Sequence, residues 1–431
     1  MAKPKPVSPA RRAAFEILRE VNAGAFSSIL LANDRNELNA PDRALTHELV
    51  LGVLRWQLWL DKLIEHYSKR GAESLDFPVR LALRLGLYQL RFLSRVPASA
   101  AVNESVNLVH SARLSSAAAF VNAVLRRAVR ESEYDPTSNL ADPLDRLAVE
   151  TSHPRWLIER WTNEFGFEET EAFARANNRV PPVAFRVVDT DLTDVEERFQ
   201  TNSARVEPSL VAVDAWRVSG ASSLLRELAA RGKIYLQDEA SQLVAQTVNV
   251  QPGERVLDLC AAPGGKTTLM ARRAGESALI VASDRSEKRL QTVVSTSSLH
   301  KLSQIKSVVL DAAQPLPFKP STFDRILVDA PCSGTGTLAR NPEIRWRISE
   351  PDIHTLATQQ KLLLTNAARV LKPGGQLVYS TCSVERDENE VVIDAFLGSH
   401  THFKQKKSIR TWPHREGADG FYLAVMRLER S

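Results

Sequence analysis

Three cysteines are the only thiols in this chain of 431 residues, and each follows a short apolar run that predicts a β-strand. They are Cys260 in Leu-Cys-Ala-Ala-Pro-Gly-Gly-Lys-Thr, Cys332 in Asp-Ala-Pro-Cys-Ser-Gly-Thr-Gly, and Cys382 in Ser-Thr-Cys-Ser. None belongs to a Cys-x-x-Cys pair, so we expect neither a metal site nor a redox dithiol. Thiols beside proline, glycine and serine, with Asp329 three residues before Cys332, indicate covalent chemistry.

The glycine-rich loop after Cys260 partly matches a phosphate-binding loop, whose pattern is Gly-x-x-x-x-Gly-Lys-Ser/Thr. Gly265, Lys266 and Thr267 fit the end of that pattern, but Cys260 occupies the position of its first glycine. The alternative is a nucleoside cofactor lying over the loop, because Gly264 and Gly265 would let the backbone approach it closely.

Aspartates end four of the predicted strands in this region: Asp258, Asp284, Asp311 and Asp329. Asp284, twenty residues past Gly264, suits a ribose diol, and Asp311 suits an adenine amino group. Four acids favour a cationic cofactor without phosphates, since they would repel a triphosphate unless a metal intervened. S-adenosylmethionine, with its sulfonium, therefore fits better than a nucleoside triphosphate. Helix capping explains one or two of these aspartates but not all four.

A thiolate beside a methyl donor indicates one specific reaction. C5 of a pyrimidine is a poor nucleophile, but addition of a thiolate to C6 turns the ring into an enamine that can attack a sulfonium methyl group. Cys332 and Cys382 supply one thiol for attack and one for release, in an order that the local sequence leaves open. A protonated Asp329 could bond the N3/N4 edge of cytosine, with Lys266 as an electrostatic helper. For Cys260 we expect the more usual role of a small buried hydrophobe.

Alternating strands and helices from about residue 237 predict the fold that positions these residues. Repeated β-α-β units with apolar strands are typical of a mostly parallel sheet covered on both faces, whose ligands bind at the carboxyl ends of the strands. The four aspartates and Cys382 all fall at those ends. We expect strands at 255–259, 278–284, 305–310, 323–328 and 376–380, and helices at 266–274, from about 285 to 300, and at 353–371.

The first part of the chain predicts a different kind of unit. Apolar periodicity favours helices throughout 8–131, with single helices over 41–67, 78–93 and 102–129. Residues 1–130 hold 19 Lys and Arg against 11 Asp and Glu, so their charge is +8 in a chain of net charge +5. This basic unit favours a polyanionic partner. The arginines that could cover one face are Arg84, Arg91, Arg95, Arg113, Arg126, Arg127 and Arg130.

A linker-like stretch at 131–145 and a small α+β unit separate the two regions. Strands at 183–188 and 233–236 and a helix at 194–200 are predicted in that small unit. Its sequence alone says little about function.

Composition limits the class of protein. The 43% hydrophobic and 25% charged content is typical of globular proteins, and no apolar run of about 18 residues predicts a transmembrane helix. The basic start lacks the apolar segment of a secretory signal, and three cysteines suit a reducing compartment. We therefore expect a cytoplasmic protein with no membrane partner.

The three cysteine motifs resemble those of the Sun/Nop2/NSUN RNA cytosine-5 methyltransferases. The sequence Arg-Asn-Pro-Glu-Ile-Arg-Trp at 340–346 resembles a further segment of that family. Residues 42–56, 84–90 and 120–126 are similar to the NusB-like domain that a bacterial branch of the family carries. The resemblance thus covers the whole chain.

The resemblance implies three domains. These are an all-α NusB-like RNA-binding domain over 1–135, a linker with a small α+β, RRM-like subdomain over 136–236, and a Rossmann-like class I methyltransferase domain over 237–431. It further implies S-adenosylmethionine-dependent methylation of C5 of a cytosine in 16S ribosomal RNA through a covalent cysteine–C6 adduct. The implied enzyme is a monomer that acts on free RNA or on an early small-subunit particle.

The resemblance also assigns roles that the spacing leaves open. It implies that Cys382 attacks, that Cys332 assists product release, and that Asp329 and Lys266 assist catalysis. The implied cofactor contacts are Cys260, Ala261, Ala262, Pro263, Gly264, Gly265, Lys266, Asp284, Asp311 and Asp329.

The alternatives to an RNA methyltransferase are a P-loop nucleotidase with a helical regulatory domain and an RNA-binding factor with a decayed catalytic domain. The intact Cys332 and Cys382 argue against the latter.

Overall fold

A computed structural model describes residues 6–32, 38–220 and 222–430, which form two compact units. Unit 1 contains the described residues up to Arg179 together with Leu338–Arg347, and unit 2 contains Val180–Thr337 together with the described residues from Ile348 onward. The basic start at 1–5 lies outside the described residues.

The described helices, in chain order, are α1 (Pro9–Asn22), α2 (Ser27–Ala32), α3 (Ala40–Arg55), α4 (Gln57–Ser68), α5 (Phe77–Phe92), α6 (Ala98–Ser111), α7 (Ala118–Arg130), α8 (Pro143–Thr151), α9 (Arg155–Phe165), α10 (Phe167–Ala176), α11 (Leu192–Thr201), α12 (Ser222–Ala230), α13 (Glu239–Val248), α14 (Gly265–Ala274), α15 (Glu287–Leu299), α16 (Ile344–Arg347), α17 (Glu350–Val370) and α18 (Glu390–Ser399). The strands are β1 (Val183–Val187), β2 (Arg205–Pro208), β3 (Ala215–Ser219), β4 (Ile234–Leu236), β5 (Arg255–Asp258), β6 (Leu279–Asp284), β7 (Ile305–Val309), β8 (Phe323–Asp329), β9 (Leu371–Thr381), β10 (Phe403–Arg410) and β11 (Tyr422–Leu428).

Unit 1 is helical, and its helices α1 to α7 share one apolar core. The prediction of one helix over 41–67 is wrong, because the chain breaks at Trp56, whose φ of −106° is not helical. The Leu58 amide donates instead to Ser152 Oγ at 2.9 Å, and the Leu54 carbonyl accepts from Trp346 Nε1 at 2.7 Å. Tertiary hydrogen bonds therefore satisfy the backbone groups that the break leaves open.

The prediction of one helix over 102–129 is also wrong. Helix α6 ends at Ser111, and Arg113 takes a left-handed φ of +63° before α7 begins at Ala118. This residue lets the chain reverse, so that α7 can pack back onto α6 and α5.

The segment Leu338–Arg347 lies in unit 1, although its neighbours in sequence on both sides belong to unit 2. The carboxylate of Glu343 accepts from the amide and the hydroxyl of Ser27, each at 2.9 Å. The fully buried Arg345 donates to the carbonyl of Ser152 and to Asn178 Oδ1, each at 3.0 Å. A buried charge needs such partners, so these bonds fix the segment in place.

Unit 2 contains two sheets. The smaller sheet is antiparallel, with the order β2-β3-β1-β4, and buries one face against α11 and α12. The larger sheet has the order β10-β11-β9-β8-β5-β6-β7, in which β5 to β9 are parallel and apolar clusters cover both faces. The predicted parallel sheet is confirmed. The antiparallel strands β10 and β11, which extend it beyond β9, were not predicted.

Among the described helices, none combines the length and the apolar character needed to cross a membrane. The predicted domain boundaries at 135/136 and 236/237 stay a prediction.

Candidate active site

The parallel strands of the larger sheet bring the predicted acids and one thiol to one edge. Asp258, Asp284 and Asp329 are the last residues of β5, β6 and β8, and Cys382 directly follows β9. Asp311 lies two residues past the end of β7, where it is exposed and accepts from the Ala313 amide at 3.0 Å. The topology thus groups these side chains where open α/β sheets bind their ligands.

A cavity of about 120 Å³ opens at this edge. Three residues that were predicted to contact the cofactor do not line this cavity, namely Gly264, Asp284 and Asp311. Asp284 instead accepts from the Ser286 amide at 2.9 Å and pairs with Arg289 at 3.3 Å. The residues that line the cavity are Tyr235, Leu236, Gln237, Ser241, Asp258, Cys260, Ala261, Ala262, Pro263, Gly265, Lys266 and Asp329.

A side chain is disfavoured at each of the two loop glycines, for a different physical reason. Gly264 takes a φ of +107°, a backbone conformation that side chains disfavour. A Cβ on Gly265 would lie 3.0 Å from a ring atom of Tyr235 and 3.3 Å from the side-chain amide of Gln237. The absence of a side chain at Gly265 therefore keeps the cavity open between the loop and β4.

Asp258 presents an unsatisfied acceptor to the cavity. It is 1% exposed, and its Oδ2 accepts from Thr267 Oγ1 at 2.7 Å. Its Oδ1 is buried and has no hydrogen-bond partner among the described residues. Burial raises the pKa of Asp258 to about 7. A cationic group or a hydrogen-bond donor bound in the cavity would satisfy this oxygen, which fits a sulfonium nucleoside.

Lys266 and Asp329 form an ion pair at the wall of the cavity. Lys266 Nζ lies 2.8 Å from Asp329 Oδ2, and Ser380 Oγ donates to Asp329 Oδ1 at 2.7 Å. Burial opposes the charge on Lys266, but the carboxylate of Asp329 outweighs it, so the pKa of Lys266 is raised. Because both oxygens of Asp329 already accept, its protonation would weaken the pair with Lys266.

The thiol groups of Cys332 and Cys382 contact each other. Cys332 Sγ and Cys382 Sγ lie 3.2 Å apart, and both residues are half-buried free thiols. The hydrogen bond to Cys382, together with burial, raises the pKa of Cys332. The thiolate form of Cys332 is therefore disfavoured, and either sulfur can donate the hydrogen bond between the two.

Cys260 lies apart from this pair, in the cavity wall. Burial and the nearby carboxylates of Asp329, Asp258 and Asp284 raise the pKa of its thiol. Cys260 is thus held in the unreactive thiol form.

Sequence reasoning missed several residues at this site, of which four have side chains that bear on the proposed chemistry. Tyr235 and Gln237 come from the end of the small unit, where no motif indicated contact with a cofactor loop. Glu388 and Asn389 are buried beside the thiol loops, although they belong to a polar run that indicates an exposed helix start. Only the tertiary fold reveals the role of their side chains.

Fewer arginines are exposed on unit 1 than the predicted basic face requires. Arg84 is buried and pairs with Asp61 at 2.6 Å, so it cannot meet a polyanion. Arg91 donates to Tyr67 Oη, and Arg127 pairs with Glu131 at 2.8 Å. The arginines of the predicted set that are exposed are Arg95, Arg113, Arg126 and Arg130.

A Rossmann-like sheet with a cavity at its carboxyl edge, lined by a glycine loop and acids, is the arrangement of a class I methyltransferase. Three family models match the chain: "16S rRNA methyltransferase RsmB/F" over residues 245–427, "NusB family" over 8–130, and a "ferredoxin-like domain" of RsmF/B-like methyltransferases over 153–224.

Known proteins resemble the chain along nearly its whole length. It is 36% identical to the "Probable ribosomal RNA small subunit methyltransferase B" of Synechocystis, over 97% of this chain and 99% of that protein. It is also 36% identical to the "Ribosomal RNA small subunit methyltransferase B" of Pseudomonas putida, over 96% of this chain and 98% of that protein. The crystal structure of PH0851 matches with a TM-score of 0.85 and 29% identity, over 98% of this chain and 100% of that one.

The chain belongs to the RsmB/F family of 16S rRNA methyltransferases. Its methyl donor is S-adenosylmethionine, as the sequence predicted, and its substrate class is small-subunit ribosomal RNA. The predicted NusB-like domain and small α+β subdomain are confirmed as the NusB and ferredoxin-like domains. The P-loop nucleotidase alternative is therefore wrong.

Proposed function

We propose that this chain methylates C5 of a cytosine in 16S ribosomal RNA, with Cys382 forming a transient covalent bond to C6 of that base. The observation that carries the proposal is the 3.2 Å separation of two thiols beside the cofactor cavity. Methylation of a ring nitrogen or a ribose hydroxyl would need no such pair.

The attack begins at Cys382. In the proposed reaction Cys332 donates the hydrogen bond of the pair to Cys382 Sγ, and the cation of Lys266 lies near enough to interact with that sulfur. A neighbouring S–H donor and a neighbouring cation are the surroundings that activate a nucleophilic cysteine. The electron pair of Cys382 Sγ forms the S–C6 bond, and the electrons of the C5=C6 double bond then make C5 nucleophilic.

When bound, S-adenosylmethionine would supply the methyl group for C5 from its sulfonium and would leave as S-adenosylhomocysteine. The residues that would hold it are the cavity-lining residues of the 260–266 loop with Asp329, and the unpartnered Oδ1 of Asp258 would favour its positive charge. We propose that Asp284 bonds the ribose diol and that Asp311 bonds the adenine, as the strand ends predicted. Asp329 would orient the N3/N4 edge of the cytosine once the RNA competes with Lys266 for its carboxyl group.

Release requires a base, and we assign that role to Cys332. Once Cys382 is bonded to C6, its sulfur is an uncharged thioether and a weaker hydrogen-bond acceptor, so both the hydrogen bond and the charge that raise the pKa of Cys332 are weakened. The half-buried Cys332 thiol can then lose its proton to water. The resulting thiolate takes the proton from C5, the C5=C6 double bond re-forms, and the S–C6 bond breaks to return Cys382 as a thiolate.

We extend the proposal to domains, partner and location. The NusB-like domain at 1–135 would bind RNA, the segment at 136–236 would link it to the catalytic domain at 237–431, and the monomer would act in the cytoplasm. The predicted substrate is free 16S rRNA or an early small-subunit particle.

The test is the identity of the methylated nucleoside. The purified full chain is incubated with unmodified 16S rRNA and S-adenosylmethionine, and the RNA is digested to nucleosides for mass spectrometry. We expect 5-methylcytidine, which bisulfite sequencing then locates. A methylated product other than 5-methylcytidine would overturn the proposal.

A further inference from the structure

Two adjacent residues, Glu388 and Asn389, bond the backbone of the two thiol loops, Glu388 beside Cys332 and Asn389 beside Cys382. Both are fully buried, at the junction between the 3-10 turn Arg386–Glu388 and α18. A buried carboxylate without a basic partner is costly, so its position needs an explanation beyond packing.

The Glu388 carboxylate bonds the loop of Cys332. Its Oε1 accepts from the Ser333 amide at 2.9 Å and from Gln360 Nε2 at 3.0 Å. Its Oε2 accepts from Ser333 Oγ at 2.5 Å. Ser333 is thus fixed at two atoms, and it is covalently joined to Cys332. Burial raises the pKa of Glu388, and the hydrogen bonds from Ser333, the Ser383 hydroxyl and Gln360 oppose that shift.

The Asn389 side chain bonds the loop of Cys382 on both sides. Its Oδ1 accepts from Thr381 Oγ1 at 2.6 Å, and its Nδ2 donates to the Ser383 carbonyl at 2.9 Å. These are the two residues that flank Cys382. The amide therefore fixes where the backbone of Cys382 lies.

The two loops also bond each other. Ser333 Oγ lies 3.0 Å from Ser383 Oγ, and the Gly336 amide donates to the Cys382 carbonyl at 3.0 Å. Tyr379 Oη donates to the carbonyl of Glu388 at 2.6 Å, which ties the turn to β9. The network is closed, so a displacement at position 388 or 389 moves one thiol relative to the other.

We propose that Glu388 and Asn389 are positioning residues that set the separation of the two thiols, Glu388 through Cys332 and Asn389 through Cys382. The inference rests on the proposed roles of the two cysteines. It predicts separate defects, because Glu388 bonds the backbone amide next to Cys332, whereas Asn389 bonds the backbone carbonyl next to Cys382. Loss of the Glu388 carboxylate impairs release, and loss of the Asn389 amide impairs attack.

The experiment compares Glu388→Gln and Asn389→Ala with Asp387→Asn as the matched control. Asp387 lies in the same turn, and its carboxylate faces His354 at 3.7 Å. Attack is measured as covalent protein–RNA adduct on 16S rRNA that contains 5-fluorocytidine, since C5 then carries no hydrogen for release. Turnover is measured on ordinary 16S rRNA.

We expect Glu388→Gln to form the trapped adduct as fast as the unmodified chain but to turn over about 100-fold more slowly, with adduct accumulating on ordinary RNA. We expect Asn389→Ala to form the trapped adduct about 100-fold more slowly, without accumulation on ordinary RNA. Asp387→Asn should match the unmodified chain in both assays. Equal losses of attack and release in the two variants, or no loss in either, would overturn the inference.

Folding is checked by the rise in melting temperature with S-adenosylhomocysteine. If a variant lacks that rise, Ser333→Ala and Thr381→Val take its place, because the first removes the hydroxyl that donates to Glu388 and the second removes the hydroxyl that donates to Asn389. The same split between release and attack is expected of them. A Cys382→Ala variant that still forms the trapped adduct would show that the proposed function is wrong, whereas identical profiles at 388 and 389 would refute only the positioning role.

Discussion

The sulfur atoms of Cys332 and Cys382 lie 3.2 Å apart, although 50 residues separate them in the chain. Neighbouring parallel strands β8 and β9 bring the two loops together. The hydrogen bond to Cys382, together with burial, raises the pKa of Cys332, so the contact disfavours a thiolate on Cys332. The same contact links attack to release, since bond formation at Cys382 weakens the interaction that holds the proton on Cys332.

Replacement of Cys332 by alanine should trap the reaction at the covalent stage. Attack by Cys382 proceeds, but no base removes the C5 proton, so a protein–RNA adduct accumulates. A denaturing gel of Cys332→Ala with 16S rRNA and S-adenosylmethionine should show a shifted band. Cys260→Ser is the control, because it changes a cysteine outside the pair and should not accumulate adduct. A Cys332→Ala protein without a shifted band would contradict the release role.

Replacement of Asp329 by asparagine should lower turnover. The change removes the charge that pairs with Lys266 at 2.8 Å while keeping the side-chain volume. We expect kcat to fall by about 100-fold, as for other losses of a charge-stabilising group at a reacting centre. Steady-state methyl transfer measures this effect. The matched control is Asp324→Asn, which breaks the 2.6 Å pair with Lys372 at the other end of β8. Equal activity in the two variants would count against a catalytic role for Asp329.

The raised pKa of Asp258 predicts a pH-dependent stability. A carboxyl group with a pKa of about 7 when folded, against about 3.9 when unfolded, binds its proton more tightly in the folded chain. Its contribution to the free energy of unfolding is therefore lost as the pH rises from about 4 to about 7. Asp258→Asn should remove that loss, because an amide does not ionise.

Thermal denaturation between pH 4.5 and 8 measures this effect. The melting temperature of Asp258→Asn minus that of the unmodified chain should increase with pH, by roughly 5 °C over that range. All other titrating groups are common to both proteins, so the difference isolates Asp258. A difference that stays constant with pH would show that the Asp258 carboxyl titrates normally.

The exposed arginines of α7 should contribute to RNA binding. Arg126 and Arg130 lie on its exposed side, and replacing both should reduce the slope of log affinity against log salt by about 1 for each phosphate that is no longer neutralised. Filter binding of Arg126→Gln/Arg130→Gln to 16S rRNA across salt concentrations measures the slope. Arg175→Gln is the control, since Glu150 and Glu171 already pair with Arg175 at 2.9 and 2.8 Å. An unchanged slope in the double variant would contradict the basic-face argument.

Point variants test RNA binding better than removal of residues 1–130. The segment Leu338–Arg347 depends on that region, because Glu343 bonds Ser27 and Trp346 bonds the Leu54 carbonyl. Removal would leave the buried Glu343 carboxylate without these partners, so weaker binding could reflect misfolding.

The sequence predicted the parts of the site that follow local patterns. Asp258, Asp329 and Cys382 each come directly after an apolar run, and strand ends in a parallel sheet share one edge, so their grouping was foreseeable. The break in the helix at Trp56 could not be predicted. The backbone groups that it leaves open are bonded by Ser152 and Trp346, which are far away in sequence. Glu388 was hidden for a similar reason, since a polar run gives no sign that one carboxylate in it is buried.

The central claim is that Cys382 bonds to C6 of the target cytosine, and one measurement tests it directly. The unmodified full chain is incubated with 5-fluorocytidine-containing 16S rRNA and S-adenosylmethionine, digested with protease and nuclease, and analysed by mass spectrometry. We predict a methylated fluorocytidine nucleotide attached to the peptide that carries Cys382. Attachment to Cys332 or Cys260, or the absence of any adduct while ordinary 16S rRNA is methylated, would contradict the account.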